Sequence, residues 1–121
     1  HVTLLKGDLM GIDRARRLFQ QESDREAAVE LDRALYLSPY LAEAHLLLGR
    51  IHLRNGRVRE AIDALKISVW SADTAEAHAV LGRAYLESKD VELARAEAAR
   101  AAAINPALAE TEQLLDMLKS R

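Results

Sequence analysis

The sequence predicts an all-α protein, a solenoid of three helix-turn-helix units closed by a C-terminal capping helix. Three observations carry this expectation. Residues 42–53, AEAHLLLGRIHL, return 33 residues later as 75–86, AEAHAVLGRAYL, and a period in that range marks stacked supersecondary units, each too small to bury its apolar face alone. Half of the 121 residues are hydrophobic but only 4% are aromatic, and five glycines and two prolines are the only strong helix breakers. Alanine, leucine, arginine and glutamate dominate, which favours helix almost everywhere and leaves no room for a sheet. Polar punctuation then divides the chain into short helical segments joined by linkers of a few residues, so successive helices must be antiparallel neighbours.

Taken in order, the first helix is expected at about 8–21. Ser23-x-x-Glu26 has capping-box spacing and opens 24–37. Ser38-Pro39 puts a capping side chain before a proline and opens 41–54, which Asn55-Gly56 ends through left-handed C-terminal geometry. A helix over 58–71 follows. Asp73-x-x-Glu76, the Asp form of the capping box, opens 74–87, and Ser88-Lys89-Asp90 ends it in the manner of Asn55-Gly56 with weaker residues. The last two helices fall at 91–104 and, after Asn105-Pro106, at 107–119.

The unit carries a family likeness. His45-x-x-Leu48-Gly49-x-x-His52, then Ala61-x-x-x-Leu65, then Asp73 resembles the tetratricopeptide repeat, whose pattern is W-x2-L-G-x2-Y, A-x3-F and a closing proline. The next unit repeats it with His78-x-x-Leu81-Gly82-x-x-Tyr85, Ala94-x-x-x-Ala98 and Pro106. An earlier unit shows as Ala15-x-x-Leu18, Ala27-x-x-x-Leu31, Ala34 and Pro39. Histidine takes the usual tryptophan place twice, Arg14 stands where leucine is usual and Asp73 replaces a proline. The resemblance spans nearly the whole chain and implies a right-handed α-solenoid forming one domain. Its units lie at about 8–41, 42–74 and 75–108, with the capping helix at 109–121.

Helical geometry supports the same packing independently. His45, Leu48, Gly49 and His52 share one face, where the small Gly49 or Gly82 lets the paired helix approach and Ala61 or Ala94 meets it. Leu47 and Ile51 occupy another face, as expected of a helix sandwiched between units. In the final helix Glu112, Asp116 and Lys119 occupy the positions that would receive a further partner, while Leu114, Leu115 and Leu118 remain apolar. That is the pattern of a solubilising cap. At the other end Val2, Leu4 and Leu5 carry no polar cap and fall where a preceding unit would end. With His1 in place of an initiator methionine, a processed chain or a portion of a longer one is expected.

The resemblance also implies that the first helices of the units line a concave groove holding an extended peptide or a helix of another protein. Register locates that face at Leu46, Arg50 and Leu53, with Glu43 and Arg54 at its margin. Its equivalents are Ile12, Arg16 and Phe19 in the first unit, and Glu76, Ala79, Arg83 and Leu86 in the third. Neighbouring helices about 8–10 Å apart would set Arg16, Arg50 and Arg83 in a ladder flanked by apolar side chains. Such a surface suits a ligand with carboxylates and apolar groups, because guanidinium forks bind carboxylates in two-pronged geometry. The competing expectation is that these arginines pair with acids on adjacent helices and the leucines pack between units. Family members that grip the C-terminal carboxylate of chaperones use a lysine and asparagine set, and no matching set is present.

Other functions find less support. A net charge of −2, from 17 basic and 19 acidic residues, lacks the basic excess that nucleic acids select for. No apolar run reaches the length of a membrane span. The absence of cysteine removes disulfides and thiolate metal sites and fits cytoplasm and periplasm equally. His45 and His52 stand about 10 Å apart along one helix, too far to chelate one ion, and replace core aromatics. Trp70 is expected to pack against the next unit, with an exposed interface anchor as the other reading. No nucleophile–base pair, phosphate loop or zinc-protease signature appears, so no enzyme, metal or cofactor is expected. The leading expectation is a non-catalytic adaptor or scaffold that binds another protein. Its rival is a self-assembly element stacking through the uncapped N-terminal edge into a homo-oligomer.

Overall fold

The computed structural model describes residues 2–120, with side chains from Gly11 to Ser120. Among the described residues there are seven helices and no strand: α1 Val2–Gln20, α2 Asp24–Leu37, α3 Ala42–Arg54, α4 Val58–Ser71, α5 Ala75–Glu87, α6 Val91–Ile104 and α7 Ala109–Lys119. Six of them match the expected spans to within two residues. The exception is α1, which starts at Val2 rather than near residue 8. Val2, Leu4 and Leu5 therefore belong to the backbone of α1 rather than to the tail of a preceding unit, and their side chains lie outside the described residues. A lone glycine costs a helix only about 1 kcal/mol, so neither Gly7 nor Gly11 suffices to end it.

The three first helices end alike. After α3, the Gly56 N–H donates to Leu53 O at 3.1 Å and the Arg57 N–H to His52 O at 2.8 Å, with Gly56 at φ +74°. This is a Schellman ending. Ser88-Lys89-Asp90 repeats it through Lys89 to Leu86 and Asp90 to Tyr85, and α1 does the same through Glu22 to Phe19 and Ser23 to Leu18. Glu22 at φ 60° and Lys89 at φ 67° hold a left-handed conformation that favours glycine. Glu22→Gly and Lys89→Gly are each expected to stabilise the fold by about 0.5–1 kcal/mol, the relieved backbone strain exceeding the extra chain entropy of glycine. Guanidinium unfolding checks this, and an unmoved midpoint would refute it.

Several helix starts differ from the sequence pattern. The Thr74 hydroxyl, not Asp73, accepts the Ala77 N–H at the start of α5. Ser23 stands at the N-cap of α2 without a side-chain capping bond. Pro39 and Pro106 do not enter a first helical turn; Ser38 and Asn105 are the C-caps of α2 and α6, and the prolines follow them in the inter-unit turns. A proline just past a helix end blocks its continuation, and that effect outweighs its tolerance at a helix start.

Each pair α1/α2, α3/α4 and α5/α6 packs as a hairpin, and consecutive first helices also touch, α1 to α3, α3 to α5 and α5 to α7, whereas α2, α4 and α6 do not touch one another. An inner row of contacting helices with an outer row splayed apart makes the inner face concave. Gly49 receives Leu65 of α4, whose branch point would overlap a Cβ at that position, and Gly82 is filled by Leu114 of α7. The small residue thus admits a leucine rather than the expected Ala61 or Ala94 alone. Ten of the thirteen residues of α5 are buried, as expected for a helix enclosed by units on both sides. In α7 Leu114 and Leu118 are buried and Glu112, Asp116 and Lys119 face solvent, while Leu115 is exposed rather than packed.

Candidate functional site

The register that places one face of α1, α3 and α5 on the concave side brings most of the expected groove residues together. Arg16, Phe19, Glu43, Leu46, Arg50 and Glu76 line one open pocket of about 600 Å³. Phe19 and Arg50 also border a smaller one of about 280 Å³ with Leu53, Arg54 and Arg83. Ile12 and Leu86 do not join them. They are 1% and 7% exposed and belong to the two apolar cores, because the inner helices touch directly and cover these positions. Ala79 is fully buried for the same reason.

Two of the three ladder arginines are already paired. Arg16 bonds to Asp13 within α1 and to Glu43 of α3. Arg50 forks onto Glu110 of α7, at 2.6 Å and 3.0 Å, and reaches Glu76 of α5 at 3.2 Å. Burial works against the Arg50 charge, but the Glu110 and Glu76 carboxylates more than offset it and push the guanidinium above its ordinary range. Arg83 has no hydrogen bond or ion pair among the described residues and is half-buried. The expectation of pairing with acids on adjacent helices therefore holds for Arg16 and Arg50, and Arg83 alone of the ladder is open.

Arg54 at the groove margin is a staple between units. Its guanidinium lies 3.7 Å from the centre of the Phe19 ring, donates to Phe19 O at 2.7 Å and forks onto Asp24 at the start of α2. Asn55 donates to the same carboxylate at 2.9 Å. The Arg54 hydrogen bond holds the Asp24 carboxyl below its ordinary range against the opposing effect of burial, although the pair is too near solvent to contribute much stability.

The three described histidines are packed groups. His45 is buried and its Nε2 lies 2.8 Å from Pro39 O. Burial pushes the His52 imidazole below its ordinary range. His78 stands between two carboxylates, with Nδ1 at 2.6 Å from Glu97 Oε1 and Nε2 on Asp73, and Glu97 is held on its other oxygen by Arg100 at 2.6 Å. Asp73, expected to cap α5, is thus drawn to the histidine one turn into the helix. Among the described residues no group of three or more potential ligands could hold a metal, and no helix is long and apolar enough to cross a membrane.

Trp70 is 75% exposed, so the packing expectation fails; it lies at the end of α4, where no element covers it except the Tyr40 ring in edge-to-face contact at 5.6 Å. Glu110 also joins the concave face through Arg50, a placement for which its register with Glu43 and Glu76 is the sequence signal.

Paired antiparallel helices, stacked with an inner concave row, define a helical-repeat solenoid with a groove. Residues 75–108 match the family model for the tetratricopeptide repeat, and the chain as a whole has the fold of tetratricopeptide repeat domains. Solved structures share the fold. The first such domain of Spaghetti (RPAP3), bound to an HSP90 peptide, superposes with a TM-score of 0.87 at 16% identity, over 95% of this chain and 92% of its own. The domain of Arabidopsis OM64 gives 0.88 at 12% identity, over 97% and 98%. The Yersinia enterocolitica type III secretion chaperone SycD, in complex with a peptide of the translocator YopD, gives 0.78 at 15%, over 92% and 86%. No curated protein sequence matches the chain. At identities this low the likeness shows the fold alone.

Proposed function

We propose that the protein is a non-catalytic adaptor that holds an extended peptide or a helix of a partner protein against the concave face of α1, α3 and α5. The observation that carries this reading is the 600 Å³ pocket, in which apolar Phe19 and Leu46 stand among Arg16, Arg50, Glu43 and Glu76. A mixed lining of this kind gives apolar anchors for affinity and charged groups for register. Spaghetti and SycD, similar in fold, were solved with bound peptides, which supports peptide binding as the use of this fold here. The partner segment is read as acidic and apolar. Arg16→Glu combined with Arg83→Glu is expected to reduce partner recovery in affinity capture at least about tenfold without loss of helicity, since each reversal replaces attraction by repulsion. Arg50 is left intact because it anchors α7. Recovery of the same proteins in the same amounts would overturn the reading.

A further inference from the structure

The histidines at the same place in successive units are held differently. His45 needs one ring proton: its Nε2 faces the carbonyl of Pro39, and Ala64 stands on α4 where α6 has Glu97. His78 faces a carboxylate on each side, Glu97 of α6 at Nδ1 and Asp73 of the α4–α5 turn at Nε2. Carboxylates offer only lone pairs, and a neutral imidazole has a single N–H. With one proton on the ring, a nitrogen lone pair would therefore point at an anion. The set of Asp73, His78 and Glu97 is satisfied only when it holds two protons. Arg100 occupies the far oxygen of Glu97 at 2.6 Å. No other charged side chain pairs with His78 among the described residues: α4 and α5 share an apolar cluster with Ala61, Leu65, Val80 and Leu81, and α7 buries Thr111 and Leu114.

We infer that Asp73, His78 and Glu97 form a proton-operated latch on the joint between the second and third units. The proton belongs to the set and not to one residue, since groups this closely coupled titrate together. An unfolded chain near neutral pH leaves histidine with one N–H and both carboxylates bare, so folding takes up one proton here. Because the native chain binds the extra proton, stability falls as pH rises until the set has released it. At acid pH the unfolded histidine is protonated as well, and the contribution is then at its full value. The release has a direction. The His78 and Glu97 side chains are 7% and 8% exposed, and that of Asp73 is 78% exposed. Once a proton has left, the remaining N–H stays on the buried Glu97, where an unmade bond costs most, and Asp73 turns to solvent. Asp73 lies between Ser71, the last residue of α4, and Ala75, the first of α5. Its release frees the turn that sets the third unit on the second, while Thr74 still caps α5.

The test compares the whole unaltered chain with Asp73→Asn, a change in an exposed turn. With asparagine the set closes on a single ring proton, because the amide N–H can donate to Nε2. Guanidinium unfolding from about pH 6 to 9 should show the folding constant of the unaltered chain falling relative to that of the variant, by up to about tenfold per pH unit. Titrations elsewhere are common to both chains and cancel in the ratio. Over the same range the side-chain carboxyl carbon signal of Asp73 in the unaltered chain should move to that of a solvated carboxylate, while that of Glu97 keeps its hydrogen-bonded position. A ratio that stays flat with pH would overturn the proton count. A sloping ratio in which Glu97 is released, or in which neither carboxylate is, would overturn the latch.

Discussion

His78→Leu is expected to destabilise the protein by about 2–3 kcal/mol, because it leaves one oxygen of the buried Glu97 carboxylate without its donor inside the third unit. Glu97 is 6% exposed, and its Oε1 has His78 as its partner while Arg100 holds the other oxygen. Leucine would fill the space without replacing the donor. Removing both members is a different matter, since an apolar pair of similar volume avoids the buried charge altogether. The double variant His78→Leu with Glu97→Leu should therefore recover most of the loss, and a double-mutant cycle from denaturant unfolding measures it. If single and double variants unfold at the same midpoint, the penalty comes from lost packing and not from the carboxylate oxygen left without a donor.

Leu65→Ala should cost about 3–4 kcal/mol, within the range for a fully buried leucine whose surroundings cannot collapse. The side chain is 0% exposed and fills the notch at Gly49, joining α3 to α4. Gly49→Ala alone should cost about 1–3 kcal/mol by overpacking against the same leucine. Because the added methyl would occupy part of the space that Leu65→Ala vacates, the two together should cost less than their sum. Strict additivity in unfolding free energies would show that the two positions do not share one space.

The repeat was legible because its signal is local: Gly49 and Gly82, the alanines of the second helices and the paired boundary residues recur at fixed spacing along the chain. The class of turn was legible at Asn55-Gly56 for the same reason. Helix starts were less so, since Ser38-Pro39 and Asn105-Pro106 fit either the end of one helix or the beginning of the next, and only the traced backbone separates the two. The groove was half legible. Register put Arg50 and Arg83 on one face, but their different fates depend on Glu110, sixty positions from Arg50, and that distance closes only through the curvature of the stacked units. Ile12 and Leu86 share the periodicity of the groove residues and are nonetheless buried, because periodicity gives a direction around a helix and not the distance to the next one. Trp70 is exposed although tryptophan is usually covered, so residue type alone did not give its place.

The bridge from Arg50 to Glu110 has a thermodynamic side. In a stacked array each unit normally feels only its immediate neighbours, so unfolding can spread inward from an end one unit at a time. Here α3 is tied to α7 past the whole of α5, so loosening the last helix is felt two first helices away. Fraying of α7 is thereby coupled to α3, and amide exchange in the two helices is expected to respond together when Glu110 is replaced by glutamine.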